Sequence, residues 1–235
     1  MKKLAIIPAR GGSKRIPRKN LKDFLGKPII AYSIHAALEC GLFDEVMVST
    51  DDEEIAHIAI QYGASVPFMR SSKNSDDYAT TMNVIEEVVD NYKEKQGSYF
   101  QYVCCIYPTA PLIQIDHLHE GLHNLIENNL SCVFPVVVFG YPVWRGVEIS
   151  KNGKISMVWP EYLNARSQDL KKVYHDAGQW YWFKSDAMKN WIWPDNTGSV
   201  ILSEEFVQDI DSMTDWRLAE MKYRLLHDTK NHVDC

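Results

Sequence analysis

The chain has 235 residues, enough to bury about 70% of its unfolded surface without disulfides or a structural metal. Its 46% hydrophobic and 24% charged residues exclude a disordered or fibrous protein. A net charge of −6 argues against a DNA- or RNA-binding surface, while a local basic site for a small anion stays compatible with an acidic whole.

Leu4-Ala5-Ile6-Ile7 reads as a buried parallel strand, and its apolar run is too short for a signal-peptide core. Residues 8–20 form a loop with two glycines, two prolines and five cations. The spacing predicts a helix over 28–40, stopped at Gly41, then a strand at 45–50. A second helix is expected over 51–62, capped by Asp51 or Asp52 and closed by Gly63. Further helices are expected at 79–95 and 115–129, the latter presenting Ile115, Leu118, Leu122, Leu125 and Ile126 on one face. Strands are expected at 102–107 and 131–139. This alternation predicts a doubly wound, mostly parallel α/β sheet. Residues 141–172 break it: Asn152-Gly153 between two strand-like runs marks a hairpin, read as a protruding β-rich arm or flap. Residues 173–183 return as one aromatic strand, 214–226 form a last helix, and the tail from 227 to 235 is polar.

The five cysteines, Cys40, Cys104, Cys105, Cys132 and Cys235, include no C-x-x-C pair and read as reduced thiols. No run approaches ~18 apolar residues, so no membrane span is expected and the expected address is cytoplasmic.

The loop after the first strand carries Arg10, Lys14, Arg15, Arg18 and Lys19. Open α/β sheets bind ligands at strand carboxyl ends, and so many cations in one loop repel unless a polyanion joins them. Gly11 and Gly12 would let backbone approach that anion, and a triphosphate fits. Neither the Walker nor the dinucleotide glycine pattern is present. A solvated basic loop is the plain competing reading.

The run from Ile7 to Asn20 resembles the N-terminal signature of the CMP-sugar synthetases, cytidylyltransferases that activate nonulosonic and ulosonic acids. Four further blocks agree in order: Ser49-Thr50-Asp51; Arg70 with Ser75-Asp76 and Ala79-Thr80-Thr81; Tyr107 to Leu112; and Asp209-Ile210-Asp211. Residues 13–20 and 165–183 look most like the branch that uses pseudaminic acid. The resemblance implies a single Rossmann-like, nucleotide-diphospho-sugar transferase-like domain over 1–235, with residues 141–172 as an inserted homodimer arm. It implies nucleotide contacts from Ala9, Arg10, Gly11, Gly12, Ser13, Lys14, Lys19, Asn20, Arg70, Ala79, Thr80 and Thr81. Catalytic roles fall on Arg10, Lys19, Asp209 and Asp211. The reaction implied is transfer of CMP from CTP to the anomeric hydroxyl of a nine-carbon keto-sugar acid, with pyrophosphate released.

Asp209 and Asp211 alternate on an extended segment, so both carboxylates project to one face and suit Mg²⁺ or Mn²⁺. Asp215 and Glu220 read as surface charge. His119-Glu120-x-x-His123 matches a zinc-protease motif but is set aside, because the histidines flank the leucine stripe of their helix and Gly121 weakens it. For the sugar, the resemblance places Arg166 and Gln168 in an Arg-x-Gln element; pairing of Arg166 with Glu161 or Asp169 is the competing reading. Tyr107 and His175 depart from the sialic acid branch, and with Asp176 and Gln179 they are the specificity candidates. No side chain stands out as a general base. Two other readings stay open: a nucleotidyltransferase for a sugar 1-phosphate or another ulosonic acid (sialic, legionaminic or Kdo-type), and a non-catalytic nucleotide-binding regulator.

Overall fold

The computed structural model describes residues 1–76, 78–187 and 195–228; most of the polar tail, with Cys235, lies outside the described residues. The strands are β1 (Lys3–Pro8), β2 (Asp23–Phe24), β3 (Lys27–Pro28), β4 (Glu45–Ser49), β5 (Tyr102–Ile106), β6 (Cys132–Val138), β7 (Val147–Ile149), β8 (Ile155–Met157), β9 (Tyr174–Asp176), β10 (Trp180–Lys184) and β11 (Thr197–Leu202). The helices are α1 (Ile29–Glu39), α2 (Glu53–Gln61), α3 (Thr81–Gln96), α4 (Ile115–Glu127) and α5 (Met213–Asp228).

The main sheet runs β11-β6-β10-β5-β1-β4, with β9 paired to β6. Strands β4, β1 and β5 are mutually parallel, as are β6 and β11; β10 lies antiparallel between β5 and β6. Both faces are covered, which is why the strands read as continuous apolar runs. Ala5 and Ile7 of β1 join residues of α1, α2 and α4 in one core, while Leu4 and Ile6 join α3 in the other.

Local chemistry fixes the helix ends. Asp52 caps α2 by accepting from the Glu54 and Ile55 amides, and Thr80 with Asn83 forms a capping box on α3. Gly121 is a packing requirement: a Cβ there would lie 2.4 Å from the Trp180 ring. The α4 stripe is Leu118, Gly121, Leu122 and Leu125, and Ile126, expected on that face, is exposed because it lies past the stripe.

The expected aromatic strand over 173–183 is two strands. Gly178, at φ +63°, breaks the run, so β9 pairs with β6 while β10 crosses to β5. Periodicity alone also overlooked β11 and the β2–β3 hairpin. In the arm, β7 and β8 form the expected hairpin, with Gly153 at φ +76° in its turn. Among the described residues no helix is long and apolar enough to cross a membrane.

Candidate active site

The carboxyl ends of β1 and β5 open onto a cleft of about 570 Å³. Arg10, Ser13, Lys14, Arg15, Lys19, Asn20, Arg70, Ala79, Thr80, Thr81, Tyr107, Asp209 and Asp211 line it. Most of the expected nucleotide residues therefore share one wall.

The basic loop is held by acidic residues behind it. The Gly11 amide donates to Asp51 Oδ1 at 3.0 Å, and a Cβ on Gly11 would lie 2.6 Å from Asp52 Oδ2. Gly11 is thus required by packing against Asp52, whereas Gly12 faces open space. Ala9, expected to touch the nucleotide, is fully buried and does not line the cleft. Arg18, at φ +54°, turns to Asp52 and Glu54, and it holds the Asp52 carboxyl below the usual carboxylate range. Buried Asn20 donates to the Arg10 carbonyl at 3.0 Å. Arg70 donates to Ser49 Oγ at 3.1 Å, which ties the Ser49-Thr50-Asp51 block to the cleft wall.

The aspartate pair meets this loop. Lys19 Nζ donates to the Ile210 carbonyl at 2.7 Å and lies 3.9 Å from Asp211 Oδ1; Arg15 pairs with Asp211 at 2.7 Å. Burial lowers the Lys19 pKa. Desolvation, then the Asp211 charge, raise the Asp209 carboxyl, and Lys19 opposes them. Between the carboxylates, Ile210 is buried in a satellite core with Ile16, Phe24, Ile29, Trp216 and Ala219, so the same small core seats the loop and the pair. Asp215, expected as surface charge, accepts from the Ser212 amide at 2.7 Å and the Asp211 amide at 3.2 Å. With the Ser212 hydroxyl accepting from the Asp215 amide at 3.3 Å, it forms a capping box whose Ser-x-x-Asp signature was present in the sequence and overlooked. The donor set fits a hard divalent ion: two carboxylates that repel each other line the basic cleft, and Arg15, paired with Asp211, is an exposed side chain.

A second cleft of about 470 Å³ lies on the other side of the pair. His175, Asp176, Glu204, Gln208, Asp209, Asp211, Asp215 and Lys222 line it. Its lysine is committed, donating to the Val207 carbonyl at 2.6 Å and the Glu204 carbonyl at 2.9 Å. Glu204 and Lys222 carried no sequence motif and were overlooked. Gln179, expected to touch the sugar, is corrected: only 3% exposed, it lines neither cleft and donates to the Phe206 carbonyl. The chain turns inward there to begin β10, carrying Gln179 with it. Arg166 and Gln168 also line neither cleft; Arg166 is 72% exposed and pairs with Asp169 at 2.7 Å. His119 is bonded to the Cys40 carbonyl at 3.0 Å, and its helix borders neither cleft.

A basic loop and an aspartate pair converging at strand ends of a wound α/β sheet define a nucleotide-transferring enzyme. The cytidylyltransferase family model matches residues 4–187. The chain belongs to that family and is a cytidylyltransferase. It is 42% identical to the pseudaminic acid cytidylyltransferase of Campylobacter jejuni, over 97% of this chain and 99% of that protein. It is 35% identical to the CMP-N,N'-diacetyllegionaminic acid synthase of Legionella pneumophila, over 94% and 95% of the two chains. A solved structure of CMP:2-keto-3-deoxy-manno-octonic acid synthetase complexed with CTP shares the fold at a TM-score of 0.68 and 18% identity, covering 97% of this chain and all of that one.

Proposed function

We propose that the protein transfers CMP from CTP to the anomeric hydroxyl of a nonulosonic acid, pseudaminic acid first among them, and releases pyrophosphate. The observation that carries this reading is that two clefts of opposite charge share one wall, Asp209 and Asp211. The basic cleft suits the triphosphate, the acceptor-rich cleft suits a sugar with many hydroxyls, and the α-phosphate would lie between them. The similarity to the Campylobacter jejuni enzyme selects pseudaminic acid.

In this scheme Arg10, Lys14 and Lys19 hold the phosphates and stabilise charge on the departing pyrophosphate. Thr80 and Thr81 present the N-terminus of α3 to the nucleotide. Asp209 and Asp211 would hold Mg²⁺ or Mn²⁺, which when bound neutralises the phosphate oxygens. The protein's own contribution is chiefly to align the sugar hydroxyl with the α-phosphate.

The sugar acid is an anion, yet the second cleft is rich in carboxylates. Its carboxylate therefore needs a cation from elsewhere, and a guanidinium matches its two oxygens. Arg166 on the arm is the candidate, delivered to the cleft of a second copy. Exposed Val147, Ile149, Ile155 and Leu163 give the arm an apolar surface for that homodimer contact. The whole chain then acts as one catalytic unit with residues 141–172 as its arm. Cys40, Cys104, Cys105 and Cys132, all buried and unpaired, support a reducing, cytoplasmic setting.

The test is pyrophosphate release from CTP across a panel of nonulosonic acids. Pseudaminic acid should exceed N-acetylneuraminic acid at least about tenfold in kcat/KM, a difference of ~1.4 kcal/mol. Equal or better turnover of N-acetylneuraminic acid would sink the sugar assignment; no turnover of any sugar acid would sink the reaction.

A further inference from the structure

Of the five cations in the loop after β1, Arg10, Lys14 and Lys19 have roles in the scheme above, and Arg15 and Arg18 do not. Arg18 is committed behind the loop to Asp52 and Glu54. Arg15 lines the nucleotide cleft instead, and its guanidinium pairs with Asp211 Oδ2 at 2.7 Å.

An ion pair between exposed side chains is ordinarily weak and easily exchanged. Packing makes this one a built contact. Ile16, the next residue in the loop, and Ile210, the residue before Asp211, are both buried in the satellite core with Trp216. Two neighbours anchored in one small core hold positions 15 and 211 together, while the Arg15 side chain stays 71% exposed.

The other oxygen, Asp211 Oδ1, has Lys19 Nζ at 3.9 Å, so the carboxylate faces two cations. Lys19 is the fixed one, mostly buried and bonded to the Ile210 carbonyl at 2.7 Å. Arg15 is the one that can leave. A divalent ion and a guanidinium repel, so they compete for Asp211. A displaced Arg15 still lines the wall that Arg10, Lys14 and Lys19 share, and its fork matches two phosphate oxygens.

We propose that Arg15 is a placeholder on Asp211, which gives way to the divalent ion and turns to the triphosphate. The inference rests on the metal reading of Asp211 above and adds to it a residue that couples ion and nucleotide. Such coupling is reciprocal: the factor by which CTP strengthens ion binding is the factor by which the ion strengthens CTP binding.

Mn²⁺ alone, followed by loss of its free-ion paramagnetic resonance signal, should bind Arg15→Ala about three- to fivefold more tightly than wild type, the range for removing one exposed ion pair. CTP binding, measured by calorimetry, should weaken about tenfold in saturating Mn²⁺ and less than about threefold in EDTA, because only the ion frees Arg15 for the phosphates. Arg15→Gln keeps most of the stem and should repeat both results. Arg10→Ala controls for plain charge. Arg10 donates to the Asp76 carbonyl at 3.2 Å, so its loss takes a cation from the same cleft without freeing Asp211, and Mn²⁺ alone should gain less than about twofold. Unchanged Mn²⁺ affinity in Arg15→Ala, an equal gain in Arg10→Ala, or equal CTP losses with and without Mn²⁺ overturns the proposal. Asp211→Asn separates the two readings. If it binds Mn²⁺ as wild type does, the metal reading of Asp211 falls and the placeholder with it. If it loses Mn²⁺ while Arg15→Ala is indifferent, the placeholder alone falls.

Discussion

The two clefts share Asp209 and Asp211 and differ in almost everything else. The nucleotide cleft collects Arg10, Lys14, Arg15, Lys19 and Arg70; the other collects Asp176, Glu204 and Asp215, with a lysine already bound to backbone carbonyls. A triphosphate is recognised as charge, so many cations converge on it. A polyhydroxylated sugar is recognised as a pattern of hydroxyls, and carboxylates are strong acceptors for those. On the shared wall, burial and then the neighbouring Asp211 charge raise the Asp209 carboxyl.

Breaking the shared wall should have the largest effect. Asp211→Asn keeps the shape and removes a charge; turnover should fall roughly 10³-fold, with partial recovery when Mg²⁺ is titrated to high concentration. Unchanged activity and an unchanged metal titration would remove Asp211 from the site. Next, Lys19→Ala takes one cation from the basic side and should lower kcat by ~10² with the fold intact. Its pH profile sharpens the point. The Lys19 charge holds Asp209 down, so without it Asp209 protonates at higher pH and the acid limb of the rate profile should move upward. A limb that stays put would separate Lys19 from the aspartates.

On the acidic side the effects should be smaller and confined to one substrate. Arg166→Ala should raise KM for the sugar acid about tenfold and leave that for CTP within about twofold. Mixing it with an Asp211→Asn protein tests delivery between copies: a mixed dimer retains one cleft with intact aspartates and an intact incoming Arg166, so some activity should return. No recovery, in a mixture shown to exchange subunits, would confine Arg166 to its own chain. The smallest effect belongs away from both clefts, where the His119→Ala, His123→Ala double variant should keep kcat/KM within about twofold, measured in the same assay. A large loss there would reopen the metal reading of that motif.

Helix and strand positions were legible because capping and alternation are local: Asp52 caps α2 with its side chain, and Gly41 and Gly63, at φ +64° and +93°, follow the ends of α1 and α2. The reversed strand was not, because the break at Gly178 decides between one strand and two, and a glycine inside an aromatic run reads equally as a bulge. At the site, motif residues found the basic cleft and the aspartate pair. Ordinary residues that only the fold brings together did not stand out: Glu204, which lines the same cleft as Asp176, or Lys222, bonded to the Glu204 carbonyl. Gln179 misled for the same reason, since its polarity said nothing of its burial.

The hydrogen bond from Lys19 to the Ile210 carbonyl joins positions 191 residues apart in the chain. At ~5–20 residues per second, roughly 10–40 s separate their appearance during translation. The strands β1, β4 and β5 can pair long before that, giving a ribosome-bound intermediate with a formed sheet and a basic loop that lacks its acidic counterpart. Such a nascent chain would attract polyanions, free nucleotides and ribosomal RNA included, until Ile210 and Trp216 close the satellite core over Ile16. Completion of the C-terminal helix is then the step that sets Asp209 and Asp211 against an otherwise uncompensated basic loop.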